Sequence, residues 1–375
     1  MIVQRILVVG SGLAGLSAAI ALARRGADVT IATLEARAEG TSITITNRAV
    51  DAVEALGVLE ACLAEGLTPS DGESIFAAMW DGAGNPLKGP LPPRPASELP
   101  AYIAIYRPDL SRILTEAALA AGVTIRAGLS FTSLVDHGSH VEVELTDGSH
   151  DRFDLVVGAD GAHSAVRRLI HPGIRPTYTG WMSFRLVLEN GPEGPAGFYS
   201  LPGGKGMLAI VRLPGNRLYM AAGKQMESRR IAPAEAVQLL DGIMAPYTAP
   251  LPCAIRERLQ AQPPIVARPF DCVLVPGPWH RGRITIIGDA AHATTPNLAS
   301  GGSIALEDGV VLAEELAGAV TLAAGLDAFM ARRYARCALV VETSLAMMRR
   351  SDANADPAGN AALRSQALAE LVKPY

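Results

Sequence analysis

The sequence predicts an α/β protein: a Rossmann-type dinucleotide-binding domain, an inserted antiparallel β-sheet domain and C-terminal helices. Three observations predict it. Residues 2–9 are a short, β-branched run that stops at a glycine, the pattern of a buried parallel strand. A glycine-rich turn follows at once, and residues 13–25 then carry the small and apolar residues of a helix packed on that strand. From about residue 180 to 270 the texture changes to short alternating runs separated by Pro-Gly turns, the pattern of an antiparallel meander.

The chain has 375 residues, enough for two domains. It is 49% hydrophobic with 37 Gly and 26 Pro, which fits a compact α/β enzyme and excludes a disordered chain. A formal net charge of −4 gives no electrostatic footprint for nucleic acid, and no dense Lys/Arg run suggests a polybasic membrane anchor. Uninterrupted apolar runs are too short for a membrane span. The four cysteines, Cys62, Cys253, Cys272 and Cys337, form neither a CxxC pair nor a metal-ligand spacing, as expected of a cytoplasmic protein with reduced thiols.

Residues 29–32 read as the second strand, which completes a βαβ unit. Residues 47–56 read as a helix stopped by Gly57. A strand over 73–80 enters a hairpin at Asp81-Gly82-Ala83-Gly84-Asn85, and the Pro-rich stretch 89–100 reads as a loop. Residues 109–121 form an amphipathic helix, and 123–125, 141–145 and 155–157 are further strands. The meander comprises 181–188, 197–201, 207–213 and 217–221, with a helix at 233–244. The buried-strand pattern returns at 284–287, and Ala/Leu-rich helices fill 303–350. The dinucleotide domain is thus discontinuous (1–72, 101–178 and 270–350). The second domain takes 73–100 and 179–269, and 351–375 is a helical tail.

Gly10-Ser11-Gly12-Leu13-Ala14-Gly15 is a GxGxxG placed between a strand and a helix. The first glycine permits the tight turn, the second lets a pyrophosphate approach the backbone, and the third lets helix and strand pack closely. Free N–H groups and the dipole at the helix start favour the phosphates. An acidic residue about 20 positions on should bind ribose hydroxyls. Glu35 stands 20 after Gly15, whereas the strand end itself is Thr33, so either residue is a candidate; Arg37 lies nearby. A second signal is Gly158-Ala159-Asp160-Gly161, a strand running into an Asp-Gly turn. A third is Gly288-Asp289-Ala290-Ala291-His292, continuing through Pro296 and Asn297 to Gly301-Gly302 and Glu307-Asp308.

These three motifs, in this order, resemble the GxGxxG, DG and GD fingerprints of the single-component flavoprotein aromatic hydroxylases, the family of para-hydroxybenzoate hydroxylase and salicylate hydroxylase. The resemblance covers nearly the whole chain. It implies non-covalent FAD, with Asp160 and Asp289 among its contacts, the ribityl hydroxyls on Asp289, and the Gly301-Gly302 helix start offering N–H groups to the flavin ring. Tyr106-Arg107-Pro108-Asp109-Leu110 matches the segment whose arginine approaches the flavin, which gives that role to Arg107. It also implies reduction by transiently bound NADH or NADPH, for which no second fingerprint exists. O₂ then reacts at the flavin C4a position, and the hydroperoxide oxidises a small aromatic or heteroaromatic ring. The cofactor carries the chemistry, so no catalytic triad or metal is expected. Pro296 and His292 are expected as neighbours of the flavin. The chain departs from the family where Ala299-Ser300-Gly301 replaces the usual Gly-Gln-Gly.

The meander is expected to roof the substrate, with Arg185, Phe198, Met207, Ile210 and Tyr219 as candidates for its inner face. A carboxylate-bearing substrate would want an arginine partner, and Arg185 and Arg212 offer one. Two other classes stay open: another FAD oxidoreductase (reductase, epoxidase or halogenase-like), and a flavin-binding sensor without catalysis. A flavin-free dehydrogenase is a third. The assembly is expected to be a monomer or homodimer.

Overall fold

The computed structural model describes residues 2–34, 40–46, 48–68, 78–87, 97–202, 206–261, 263–352 and 357–375. At its centre is a six-stranded sheet in the order His280–Arg281, Ile284–Ile286, Leu155–Gly158, Arg5–Val9, Asp28–Thr33, Thr124–Ala127. Every pairing is parallel except that of the short edge strand His280–Arg281. Parallel strands are covered on both faces, so they read as continuous apolar runs rather than alternating ones. Accordingly Ile6, Leu7 and Val8, and Leu155, Val156 and Val157, are all fully buried.

The helix Leu13–Ala23 packs between this sheet and the helix Gly301–Gly318. Small residues allow the two helices to approach: Ser17 Oγ donates to the Leu306 carbonyl at 2.7 Å, and a side chain at Gly309 would collide with Ser17. The helix Leu322–Asp352 lies against Gly301–Gly318, and the helix Pro357–Leu371 follows it.

Two small sheets were not expected from sequence. Ser42–Thr46 pairs with Tyr102–Tyr106, which also pairs with Gly66–Leu67. Phe131–Asp136, Val141–Leu145 and His150–Phe153 form an antiparallel sheet, of which the sequence pattern predicts only the middle strand. The expected strand over 73–80 lies largely outside the described residues, as does most of the loop 89–100. What is described, Met79–Asp81, enters a turn at Asp81 whose carboxylate accepts the Ala83 and Asn85 N–H groups.

The meander is a second six-stranded sheet, ordered Ile265–Cys272, Thr177–Leu188, Arg217–Gln225, Met207–Leu213, Gly197–Ser200, Met79–Asp81. Its cross-strand register fixes which residues share a face. Tyr199, Leu208, Ala222 and Phe184 align on one face; Ile210, Met220 and Leu186 lie on the same face one step along. These residues form a separate core with Leu240 and Met244 from the helix Pro233–Met244 and Leu251 and Ile255 from Pro250–Arg258. The opposite face carries Phe198, Ala209, Ala221 and Arg185 in one row and Val211, Tyr219 and Val187 in the next. Phe198 and Ala209 pack against the core of the dinucleotide-type unit, so this face looks toward it.

Candidate functional site

The first glycine turn is built by close approach. Gly10 has φ +104°, and a Cβ there would lie 2.5 Å from the Ala159 carbonyl oxygen. A Cβ on Gly15 would lie 2.0 Å from the Gly10 carbonyl oxygen, so any side chain would push the helix off the strand. Gly12 differs: nothing lies within 4 Å of its Cβ position. Gly12 is the N-cap of Leu13–Ala23, with no side-chain cap and no acid in the first turn. The first N–H groups of this helix thus have neither an intrahelical acceptor nor a side-chain cap, the arrangement that takes a phosphate.

The distant GD motif meets this turn. Gly288 sits where a Cβ would be 2.6 Å from that of Ala14, and a Cβ on Gly302 would be 3.1 Å from Leu13 Cδ1. Residues nearly 300 positions apart thereby lie side by side. The helix Gly301–Gly318 also starts without a side-chain cap or first-turn acid, so a second set of N–H groups faces the same region. Asp289 is exposed at the surface, with dense protein packed behind its carboxylate. That burial raises its carboxyl pKa, with His292 and Arg107 pulling the other way. Arg107 opens the helix Arg107–Ala120, and its backbone N–H is anchored on the Thr41 carbonyl at 2.8 Å.

Beneath Asp289 lies a buried ionic cluster that sequence reasoning missed. His292 Nε2 and Asp308 Oδ2 are 2.6 Å apart, and Asp308 Oδ1 accepts from Arg333 Nε at 2.8 Å. Asp308 Oδ2 also accepts the Gly288 N–H at 2.8 Å, which ties the cluster to the cofactor turn. Glu307 pairs with both Arg333 and Arg336. Burial alone would raise the Asp308 pKa; His292 and Arg333 outweigh it and push it down to about 2. Burial alone would lower that of His292, but the Cys337 sulfur and the Asp308 carboxylate hold it well above its usual range. The ligand-type atoms of His292, Asp308 and Cys337 lie within 4.8 Å of one another. The Arg333 guanidinium already occupies the open side of Asp308, so a metal ion there would face a buried cation. No single motif marks this group, although Glu307-Asp308 closes the GD segment.

The other candidates fall out as follows. The Asp160 carboxylate is used locally, accepting from Ser164 Oγ and from the Ala165 and Val166 N–H groups, and so caps the next helix. Thr33 is buried and shares a hydrogen bond with Ser11 at 2.9 Å, inside the glycine turn. Glu35 and Arg37 lie outside the described residues. Pro296 is exposed at the start of the 3-10 turn Pro296–Leu298, while His292 is buried. Ala299 adopts a left-handed conformation, φ +49°, a region that favours glycine.

Of the substrate candidates, Arg185, Phe198, Met207 and Tyr219 share the face that looks toward the cleft. Ile210 does not, and is corrected: strand periodicity turns it to the opposite face, fully buried against the two helices. Arg212 is on that face too, donating to the Pro192 and Gly194 carbonyls. The Tyr219 phenol lies close to both Arg185 and Arg107: burial raises its pKa and the two guanidiniums oppose the shift. Arg107 therefore stands between Asp289 on one side and Tyr219 on the other.

The residues present fit FAD: a phosphate-ready helix start at Gly12, a carboxylate for ribityl hydroxyls at Asp289, and N–H donors at Gly301 for an electron-rich ring oxygen. Comparisons with known proteins agree. Residues 4–344 match the family described as "FAD binding domain". The chain is 30% identical over 339 residues to aurachin C monooxygenase/isomerase of Stigmatella aurantiaca, covering 88% of this chain and 85% of that one. It is 29% identical over 315 residues to 2-heptyl-3-hydroxy-4(1H)-quinolone synthase of Pseudomonas aeruginosa, covering 82% and 79%. The fold superposes on Klebsiella pneumoniae HpxO, solved with FAD and uric acid, with a TM-score of 0.75, 21% identity and coverage of 98% and 93%. The chain belongs to the FAD-binding-domain family and is an FAD-dependent monooxygenase of the aromatic hydroxylase type.

Proposed function

We propose that the protein uses NADH or NADPH and O₂ to hydroxylate a small aromatic or heteroaromatic ring. The observation that supports this reading is the close approach of Gly288 to Ala14, which brings the GD segment beside the Gly12 helix start, the spacing that one dinucleotide spans in this reading. In this reading Gly10, Gly12, Leu13, Ala14 and Gly15 take the pyrophosphate, and Asp289, Gly301, Gly302 and Arg107 surround the flavin end. Residues 1–72, 101–178 and 270–350 act as the cofactor unit, and 73–100 and 179–269 as the substrate roof. When bound, the flavin supplies hydride acceptance and oxygen activation. The protein's own residues orient the ring and exclude water. Arg107 neutralises charge beside Asp289, and the sheet carrying Phe198, Arg185 and Tyr219 closes the substrate side.

Two relatives support the substrate class, since one is named for a hydroxylated quinolone and the other for aurachin oxygenation. All four cysteines are free, in keeping with a reducing cytoplasm. Among the described residues no helix is long and apolar enough to cross a membrane. The test is a screen of one- and two-ring aromatics for stimulated NADH or NADPH oxidation under ¹⁸O₂. The reading requires one labelled oxygen in the product; consumption without label would refute it.

A further inference from the structure

One buried guanidinium reaches both elements assigned to the flavin end. Arg333 lies on the helix Leu322–Asp352 and is fully buried. Its Nε donates to Asp308 Oδ1 at 2.8 Å, and its Nη2 donates to the Ile304 carbonyl at 3.1 Å. Ile304 belongs to the first turn of the helix Gly301–Gly318, whose opening N–H groups have no side-chain cap. The same turn is also held from the strand Ser42–Thr46, where the Thr46 N–H donates to Ser303 Oγ at 2.9 Å.

Asp308 carries the other half of the link. Its Oδ2 accepts the Gly288 N–H at 2.8 Å and lies 2.6 Å from His292 Nε2. Gly288 and His292 bracket the single helical turn Asp289–His292, so one carboxylate grips that turn at both ends. Gly288 has φ +58° and ψ −143°, a conformation held by its neighbours rather than by local preference. The N–H groups of a guanidinium leave a rigid plane at fixed angles, so two acceptors on one fork are held at a fixed spacing.

We propose that Arg333 is a positioning residue for the bound flavin: its guanidinium keeps the Asp289 turn and the Gly301 helix start in register, so that both close on one cofactor. This rests on the cofactor placement given above. The N–H groups of the helix start matter most once the ring is reduced, because their partial positive charge favours the added negative charge. A displaced helix start therefore loses the reduced form more than the oxidised one.

The test measures the midpoint potential and the dissociation constant of FAD in the loaded protein, without turnover. Arg333→Lys keeps the buried charge but offers a point ammonium on a flexible stem, which cannot hold both acceptors at the spacing of the fork. It is expected to weaken reduced FAD roughly tenfold more than oxidised FAD, the size of one hydrogen bond to a charged group. For a two-electron couple that ratio lowers the potential by about 30 mV. Arg336→Lys is the control. Arg336 pairs with Glu307 across the same two helices, and its other donors go to the Glu370, Leu371 and Lys373 carbonyls. Arg336→Lys is expected to leave the ratio of reduced to oxidised affinity within about twofold. Where Arg333→Lys holds no FAD, Asp308→Glu disturbs the same link from its other end at constant charge, and the same fall in potential is expected. Either variant binding FAD at an unshifted potential overturns the proposal and leaves Arg333 a packing residue. A shift of equal size in Arg336→Lys also overturns it, because the effect then belongs to general loosening of the helix pair. Asp289→Ala separates the two readings. Undiminished FAD affinity there would refute the cofactor placement itself, whereas a loss there with no shift in Arg333→Lys refutes only the register.

Discussion

Two glycines of the first motif respond oppositely to one added methyl group. A Cβ on Gly15 meets the Gly10 carbonyl at 2.0 Å, whereas one on Gly12 meets nothing. Gly15→Ala is therefore expected to cost stability by overpacking, roughly 1–3 kcal/mol, with or without FAD. Gly12→Ala is expected to leave the apoprotein's melting temperature unchanged, because its backbone angles (φ −71°, ψ −177°) suit any residue. It should weaken FAD binding, since the methyl projects into the space over the helix start. Melting curves of apo and FAD-loaded protein separate the two; equal behaviour would mean that no ligand lies across Gly12. Ala299 makes a third case. Its left-handed φ of +49° penalises an alanine, so Ala299→Gly is expected to stabilise the protein by roughly 1 kcal/mol, read from the urea midpoint.

The helices Gly301–Gly318 and Leu322–Asp352 are joined by charge as well as by apolar packing. Asp308 and Arg333 are both fully buried and pair at 2.8 Å, with His292 on the other side. Removing one partner strands the rest, so Asp308→Asn is expected to cost roughly 3–5 kcal/mol and to loosen the Gly288 turn it holds. The pH dependence follows from linkage. Asp308 is depressed to about 2, so its contribution is complete above the ordinary carboxylate range and drains away as pH falls toward 2. His292 is raised, so its contribution is complete below the ordinary imidazole range and is lost as pH climbs through the raised value. Asp308→Asn should flatten both limbs of the stability profile; limbs that persist would assign them to other groups. Little of this was legible in the sequence, because Asp308 and Arg333 stand 25 residues apart on different helices. The parallel strands were legible, being continuous apolar runs. Ser42–Thr46 was not: Ser-Ile-Thr-Ile-Thr is short, and its partner Tyr102–Tyr106 is 60 residues away. Ile210 was a parity error that the sequence already held: within one strand Met207 and Ile210 must face opposite ways.

The unit built on the parallel sheet and the inserted antiparallel sheet meet beside Arg107, the residue that serves both in the proposed reading. Arg217, on the roof strand that carries Tyr219, reaches Asp109 at 3.4 Å and lies 4.6 Å over the ring of Tyr106. Tyr106 and Asp109 flank Arg107, so this clip fixes the start of the Arg107 helix against the sheet facing it. A long, partly buried ion pair and a cation–π contact are each worth about 1 kcal/mol, so Arg217→Ala should move the melting temperature only slightly. Its effect belongs to geometry: a small displacement between a ring and an activated oxygen loses far more reaction than it loses binding. Arg217→Ala is therefore expected to keep FAD and substrate-stimulated NAD(P)H oxidation, while releasing several-fold more hydrogen peroxide per NAD(P)H consumed. Arg217→Lys, which keeps the charge for Asp109, should recover part of the coupling. Product and peroxide measured in the same assay decide the matter. An unchanged ratio would reduce the clip to an ordinary surface contact, whereas a shifted ratio at constant stability would show that the two units must be held in register for oxygen to reach the ring.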